Sequence, residues 1–337
     1  MKRHLQSLLA VALMFASASA LALEAKQIHR DVPKGIKELR QAAGTIYLQD
    51  GSGDWHVVGQ TKGGLTLTPA SSPKTAEVND ADKLPDTEVA AGIKNIKRAW
   101  FSRPTDRYGH GVLGDAIEAG SLKAELADGT IVEAVLDSSA VFEDRVPRLV
   151  DVNGDGVDEI IAVKAYLSQG AAVTLVGQSG DGLKVLAEAP AIGLSHRWQN
   201  PVGAADFDGD GNIEIAVVIT PHIGGTLQLY EWHNDKLIAD HNDYGFSNHA
   251  MGSRELGLSA IIDVDQDGVP DIVVPDAGRN SLIAVSFRNG NVRRMGRVDM
   301  ADRFASGLFT ADIDNDGRAE IVYATENNTL TALKWLP

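Results

Sequence analysis

Four short acidic segments recur in the second half of the chain and constrain its fold more than any other feature. Each has Asp or Asn at positions 1, 3 and 5, Gly at position 6 and an acid at position 9. Their first residues lie 55, 57 and 49 positions apart, and a period of this size indicates a repeat architecture. The four segments are Asp151–Glu159, Asp206–Glu214, Asp263–Asp271 and Asp312–Glu320.

The spacing of oxygen-bearing side chains within each segment is that of a cation loop. Positions 1, 3 and 5 converge when such a segment curls around a hard cation, Gly at position 6 permits the sharp turn, and position 7 offers its backbone carbonyl. Oxygen ligands favour Ca²⁺ over zinc or copper. Position 12 is Ala162, Val217, Val274 or Tyr323, which excludes an EF-hand because an EF-hand needs Glu there. The alternative of four solvated Asp/Asn/Gly turns is disfavoured by their common register.

Short β-branched runs flank every acidic segment. The run Arg148–Val152 leads into the first segment. The run Glu159–Val163 begins at the last residue of that segment. Hairpin-like pairs follow, such as Ser281–Phe287 with Asn291–Val298 around an Asn-Gly turn. Four strands per repeat in a meander predict a propeller blade.

These repeats resemble FG-GAP repeats, also called VCBS repeats, the calcium-loop β-propeller module of integrin heads and many exported bacterial proteins. The resemblance covers residues 145–337. It implies up to four structural Ca²⁺ ions, held by side chains at positions 1, 3, 5 and 9 and by the carbonyl at position 7. Asn153 replaces an acid, so we expect a weaker first site. The implied ligands are Asp151, Asn153, Asp155, Val157, Glu159, Asp206, Asp208, Asp210, Asn212, Glu214, Asp263, Asp265, Asp267, Val269, Asp271, Asp312, Asp314, Asp316, Arg318 and Glu320.

The sequence predicts an all-β fold, a β-propeller of five four-stranded blades, or six if residues 36–86 form a blade of their own. The predicted repeats are residues 88–144, 145–199, 200–256, 257–305 and 306–337, and the first has no cation loop. The last repeat is one strand short. A strand from residues 23–87, which include the predicted strands Gly44–Asp50 and Trp55–Gln60, is therefore expected to complete it and close the ring.

The N-terminus has the pattern of a secretory signal peptide over residues 1–22. Lys2 and Arg3 precede the apolar run Leu8–Phe15, and small residues suited to cleavage follow at Ala18–Ala22. The apolar stretch is too short for a membrane span, and no later segment is long enough. We therefore expect export, to a bacterial periplasm or outside the cell.

Composition excludes several classes of function. The chain contains no Cys, so disulfides, zinc fingers, iron–sulfur clusters and cysteine nucleophiles are excluded. A net charge of −15 disfavours a nucleic-acid binder, because contact with phosphates needs a basic surface. No nucleotide-binding Gly-rich loop leading into a helix is present.

The face opposite the acidic segments is predicted to carry the ligand site. In a propeller the connections between second and third strands and between blades lie there, and five of the nine His fall in them, one of which is His241. Such long loops on a rigid scaffold are often functional, although local hydrogen bonding is the simpler role for any one residue. An anionic or sugar-like ligand would suit this mixture. The candidates are Arg107, Tyr108, His110, His196, Arg197, Trp198, His222, His249 and Arg254.

Two functions remain open on the sequence alone. The first is a non-enzymatic binding or interaction module for a protein or glycan, with structural calcium. The alternative is a hydrolase or lyase for a phosphorylated or polysaccharide substrate, with His110 or His222 as general base and Arg107 as anion clamp. No G-x-S-x-G or H-E-x-x-H motif supports catalysis.

Overall fold

The computed structural model describes residues 22–180 and 182–336. Within these ranges the chain consists of β-strands and connections, with one turn of 3₁₀ helix at Arg288–Gly290. The fold is therefore all-β, as predicted. The predicted signal peptide falls almost entirely on residues 1–21, outside the described residues.

The strands form antiparallel meanders that we number as sheets I to VI, of which II, III and IV are joined edge to edge into one larger sheet, and strand β1 (Glu24–Asp31) precedes them. Sheet I contains β2 (Ile36–Ala42), β3 (Thr45–Asp50), β4 (Trp55–Thr61) and β5 (Gly64–Ala70). Sheet II contains β6 (Ala90–Ala91), β7 (Ile96–Thr105), β8 (Glu118–Leu126) and β9 (Ile131–Val135). Strand β10 (Ala140–Phe142) pairs with β8 and with the next sheet.

The acidic segments lie in the remaining four sheets. Sheet III contains β11 (Arg148–Val150), β12 (Glu159–Tyr166), β13 (Gly170–Ser179) and β14 (Gly182–Glu188). Sheet IV contains β15 (Gln199–Ala205), β16 (Glu214–Ile219), β17 (Thr226–His233) and β18 (Lys236–Tyr244). Sheet V contains β19 (Ala260–Ile262), β20 (Asp271–Pro275), β21 (Ser281–Ser286) and β22 (Arg293–Asp299). Sheet VI contains β23 (Phe309–Ala311), β24 (Glu320–Ala324) and β25 (Thr329–Leu336), with β1 added at its edge.

Burial explains why the second strand of a repeat is apolar after its first residue, the position-9 acid. All five residues of β20 and of β24 are buried, and so are the first five of β16. A strand that packs against a neighbouring sheet on each side needs apolar residues on both faces. The outermost strands β9 and β18 instead carry exposed residues, because they lie at the rim.

Successive sheets pack face to face around separate apolar cores. One core joins sheets II and III, and others join III with IV, IV with V and V with VI. A fifth core lies between sheets VI and I, where Leu48 of β3 and Leu330 of β25 are both fully buried. This serial packing of twisted four-stranded sheets is the arrangement of a β-propeller. Residues 36–70 form a sheet of their own, as the six-bladed alternative requires. Closure of the ring by an N-terminal strand remains a prediction.

The N-terminal strand that joins sheet VI is β1. It pairs with β25 along its whole length, from Glu24 opposite Leu336 to Asp31 opposite Thr329. The sequence analysis did not identify this strand, because Glu24–Asp31 is mostly polar, as an outer edge strand can be. The predicted strands near 44–50 and 55–60 are β3 and β4 of sheet I instead.

The strand order divides the connections between two ends of the sheets. Each acidic segment links the first and second strands of sheets III to VI. Antiparallel strands reverse at every connection, so the second-to-third connections and those between sheets lie at the opposite end. We call that end the connection face and define it by residues 106–117, 189–198, 220–225 and 245–259.

Candidate functional site

The four acidic segments share one hydrogen-bonded loop. In each, the position-6 Gly N–H donates to the position-1 Asp, as from Gly211 to Asp206 Oδ2 at 3.0 Å. The position-7 N–H donates to the position-5 Asp, as from Asn212 to Asp210 Oδ1 at 2.8 Å. These backbone bonds orient the carboxylates toward the inside of the loop.

Two positions in every loop adopt left-handed backbone. Gly at position 6 has φ between 87° and 96°, which only Gly adopts without strain. Position 4 is also left-handed, at Gly154, Gly209, Gln266 and Asn315. Sequence analysis did not single out position 4, because its residue type varies among the loops.

The position-9 acid anchors each loop to the following strand. One carboxylate oxygen accepts the position-2 N–H, as in Phe207 N–H to Glu214 Oε2 at 2.7 Å and Val264 N–H to Asp271 Oδ2 at 2.9 Å. Burial raises the pKa of Glu159, Glu214 and Asp271 to about 7. A buried carboxylate with one oxygen left for another partner is suited to a cation, which would favour its ionised form.

The second loop fits a hard cation best. One carboxylate oxygen from each of Asp206, Asp208, Asp210 and Glu214 lies within 4.8 Å of the other three. In the third loop Asp263, Asp265 and Asp271 meet the same limit, and Asp271 Oδ1 is buried without a hydrogen bond. These donor sets consist of oxygen alone, as Ca²⁺ prefers. The side chains could therefore hold Ca²⁺ in both loops.

The first and fourth loops differ from these two. In the first, Lys94 Nζ lies 2.6 Å from Asp151 Oδ2, and its acids do not meet the 4.8 Å limit. In the fourth, Asp312, Asp314 and Asp316 cluster within that limit, but Lys334 Nζ contacts two of them. Asn153 predicts a weaker first site, and neither lysine belongs to the repeat pattern.

On the connection face, six of the nine predicted ligand-site residues form a cluster of two ring groups that are linked through Glu143. In the first group, the ring centroids of Tyr108 and His196 are 5.0 Å apart, and those of His110 and His196 are 5.1 Å apart. In the second group, the ring centroid of Trp198 lies 4.7 Å from that of His249 and 6.2 Å from that of His222. Four connections that are distant in sequence therefore meet, which is the convergence that a binding site requires.

Hydrogen bonds fix the protons on two of these histidines. His249 Nε2 is 2.9 Å from the carbonyl oxygen of Ser253, so this nitrogen carries the proton. Its Nδ1 then accepts from His222 Nε2 at 2.8 Å, which leaves His222 Nδ1 as an acceptor. Burial lowers the pKa of both His222 and His249 to about 4, so both rings are neutral at neutral pH.

A buried carboxylate supports the other half of the cluster. Glu143 Oε1 is 2.5 Å from His110 Nδ1, and Trp198 Nε1–H donates to the Glu143 carbonyl at 2.9 Å. Burial raises the pKa of Glu143 and lowers that of His110. Glu118 is also buried. Its pKa is raised to about 9, mainly by burial and to a smaller extent by repulsion from Glu143. Sequence analysis missed Glu143, although an acid directly after the buried strand Ala140–Phe142 was a usable signal.

The three candidate arginines are bonded to groups of the protein itself, and Arg197 Nη1 donates to the carbonyl of His196 at 3.2 Å. Arg107 donates from Nε and Nη2 to the carbonyl of Ala140, and Arg254 pairs with Asp115 at 2.8 Å. Trp198 is only 2% exposed, so its ring forms the floor of the cluster and is not available for stacking on a sugar. His241 lies apart from the cluster, because its Nε2 faces Asp240 and Asp208 beside the second acidic loop.

Exposed apolar side chains lie on the same four connections as the histidines of the cluster. Ile117, Leu194, Ile223 and Met251 are exposed by 40%, 61%, 64% and 63%, respectively. Each lies on one of the four connections that supply His110, His196, His222 and His249. Large apolar side chains grouped on one face are typical of an interaction surface.

The fold and the loops define the class of protein, a repeat β-propeller with acidic loops between its first and second strands. The chain belongs to the FG-GAP-like repeat family, whose model matches residues 151–217, 206–274 and 263–323. Together these matches span about half of the chain. No curated protein matches it. Among the described residues, no helix is long and apolar enough to cross a membrane.

Solved structures similar to this chain include two with low identity. The crystal structure of BBS1N in complex with ARL6DN gives a TM-score of 0.43 at 11% identity, covering 94% of this chain and 97% of that one. The WD40 domain of Toxoplasma gondii coronin gives 0.39 at 10% identity, covering 89% and 69%. At TM-scores below 0.5 these likenesses carry no argument about function.

Proposed function

We propose that this chain is an exported, calcium-stabilised interaction module that binds a protein partner through the connection face. The observation that carries the proposal is the composition of that face, where each of four converging connections contributes one histidine to the cluster and one exposed apolar side chain to the surface. Aliphatic anchors around a polar, hydrogen-bonding centre are how protein interfaces are built.

The histidine cluster would supply the polar centre of the interface. His222 Nδ1 is an acceptor on a half-buried ring, so it can receive a hydrogen bond from a hydroxyl or amide of the partner. The acids behind the cluster, Glu118 and Glu143, are buried, and burial raises the pKa of both, which favours their uncharged forms. A neutral partner segment with apolar side chains suits the surface best.

Calcium is assigned a structural role in this proposal. Asp206, Asp208, Asp210 and Glu214 would hold it in the second loop, and Asp263, Asp265 and Asp271 in the third. When bound, the ion supplies positive charge that cancels repulsion among these carboxylates. The loops then hold successive sheets in register at the end opposite the connection face.

The test is proximity labelling of the envelope fraction with the full-length protein, followed by direct binding to each labelled candidate. We expect a partner whose affinity falls at least tenfold in the double variant Leu194→Asp/Ile223→Asp. The matched control is Ile93→Asp, because Ile93 is 98% exposed at the opposite end. A partner lost equally in both variants, or binding that survives the double variant, would overturn the assignment of the connection face.

Hydrolysis at the same face is the second candidate, and the His110–Glu143 pair favours it. A buried carboxylate that orients imidazole is a common support for a general base. Turnover of phosphomonoester or polysaccharide substrates that is lost in His110→Gln but kept in His233→Gln would support it. His233 is the control because it lies at the end of β17 beside Glu231, away from the cluster.

Export is the third element of the proposal, and it rests on residues 1–22. With a signal peptide over residues 1–22, the mature chain is expected to begin at Leu23, directly before β1. N-terminal sequencing of protein recovered from the envelope tests this. An intact N-terminus on the recovered protein would contradict cleavage.

A further inference from the structure

The fourth acidic loop contains a positive charge from the protein itself. Lys334 Nζ lies 3.2 Å from Asp314 Oδ2, 2.6 Å from Asp316 Oδ2 and 2.5 Å from Glu320 Oε1. These are the carboxylates of positions 3, 5 and 9. The ammonium therefore stands where those three ligands converge.

The position of Lys334 is set by the sheet. It lies in β25, whose neighbour β24 begins with Glu320 at the end of the loop. Its side chain is only 13% exposed, so the ammonium is largely removed from water. Three carboxylate contacts compensate for that loss of hydration.

The other loops have no equivalent group in the part of the chain that the structure describes. Lys94 contacts Asp151 and Asp158, at positions 1 and 8 of the first loop, but no other position of that loop. Arg288 and Arg293 each contact one acid of the third loop. The second loop has only His241, whose Nε2 is 3.9 Å from Asp208.

We propose that Lys334 is a built-in cation of the fourth loop, so that this loop does not bind calcium and the chain binds at most three Ca²⁺ ions. An ammonium and a divalent ion cannot share the same three carboxylates, because each needs the space and the ligand oxygens of the other. The inference deepens the proposed function by assigning which loops hold the metal, and it departs from the four sites that the repeat pattern implies.

The consequence is that sheet VI is stabilised without calcium. This sheet contains both β25 and β1, so it joins the N-terminal strand to the last repeat. With a lysine in its loop, the sheet would keep its loop conformation where calcium is scarce. The second and third loops, whose acids converge, would respond to calcium.

The experiment is isothermal titration of the calcium-stripped protein with CaCl₂. We expect Lys334→Met to bind one more Ca²⁺ per chain than the wild type. The control is Lys26→Met, which removes the same charge from the paired position on β1 and leaves the loop contacts intact. An unchanged number of bound ions in Lys334→Met would overturn the inference, whereas a wild type that binds no Ca²⁺ would overturn the calcium part of the proposed function alone.

A second variant tests the fourth loop without touching the lysine. Asp316→Asn should leave the number of Ca²⁺ ions bound by the wild-type chain unchanged and lower its melting temperature, because it weakens the contact with Lys334. In the Lys334→Met background the same change should remove the additional ion. Loss of one ion from Asp316→Asn alone would show that the wild-type loop binds calcium and would overturn the inference, even if Lys334→Met failed to fold.

Discussion

At the scale of single residues, burial moves titratable groups of the connection face in opposite directions. Glu118 has a pKa near 9 in the fold and near 4.5 when unfolded, so between these values the folded chain holds a proton that the unfolded chain has lost. The contribution of Glu118 to stability is thus present below pH 4.5 and is lost as the pH rises through 9.

Glu118→Gln should therefore be increasingly stabilising as the pH rises. The difference in unfolding free energy between variant and wild type should increase by up to about 1.4 kcal/mol per pH unit between pH 5 and 8. Urea denaturation at several pH values measures it, with the exposed Glu326→Gln as control. Parallel curves for Glu118→Gln and wild type would contradict a buried, protonated Glu118.

His249 gives the opposite slope. Its pKa is about 4 in the fold, against about 6.5 when unfolded, so the unfolded chain takes up a proton first as the pH falls. The stability that it contributes is present above pH 6.5 and is lost as the pH falls toward 4. His249→Gln should show a smaller loss of melting temperature between pH 7 and 5 than wild type or His233→Gln. An equal loss in all three would show that His249 is not held neutral.

At the scale of elements, the acidic loop is defined by its backbone as much as by its carboxylates. Loop positions 4 and 6 are both left-handed, yet position 4 accepts Gln266 and Asn315, whereas position 6 is Gly in all four loops. Gly154→Asn should then change stability little, and Gly156→Asn should cost about 1 kcal/mol. A Cβ at either site meets nothing within 4 Å, so the comparison isolates backbone strain. Calcium-free thermal unfolding measures it, and equal losses would contradict the distinction.

The same loops show what a sequence can and cannot predict. Regular spacing of Asp, Gly and β-branched runs was enough for the loops, their flanking strands and the propeller class, because these depend on local pattern. The contacts of Lys334 and Lys94 with the loops were not predictable, since both residues are close to the acids only through strand pairing or a neighbouring sheet. The mostly polar β1 was missed for a similar reason, as its place depends on the edge of β25.

The connection face was partly predictable for the same physical reason. The order of strands placed His110, His196, His222 and His249 at one end of the sheets. Their partners were not predictable, because the carbonyl of Ser253 and the carboxylate of Glu143 are reached only through the packing of separate connections. The hydrogen bond from Arg107 to the Ala140 carbonyl was likewise not predictable from the sequence.

At the scale of the whole molecule, pairing of β1 with β25 joins the two ends of the described chain. His29 Nδ1 and Thr331 Oγ1 are 3.0 Å apart on paired positions of these strands. Because the chain contains no Cys, His29→Cys/Thr331→Cys would create a single possible disulfide. Closing a loop of this length stabilises by up to about 5 kcal/mol in the chain-entropy model, so the oxidised variant should melt higher than its reduced form. Failure to oxidise would contradict the pairing.

Calcium should be the main external determinant of stability. A site with a dissociation constant of about 0.1 mM contributes about 1.4 kcal/mol at about 1 mM Ca²⁺. Two such sites, in the second and third loops, add about 3 kcal/mol, a sizeable share of the roughly 5–15 kcal/mol typical of a domain. Excess EGTA should therefore lower the melting temperature by several degrees, and added Ca²⁺ should restore it. Because Lys334 supplies the fourth loop with a cation from β25, EGTA should leave β1 and β25 more protected from amide hydrogen exchange than β16 and β20. An unchanged melting temperature would contradict structural calcium, and equal loss of protection in all sheets would contradict a calcium-independent sheet VI.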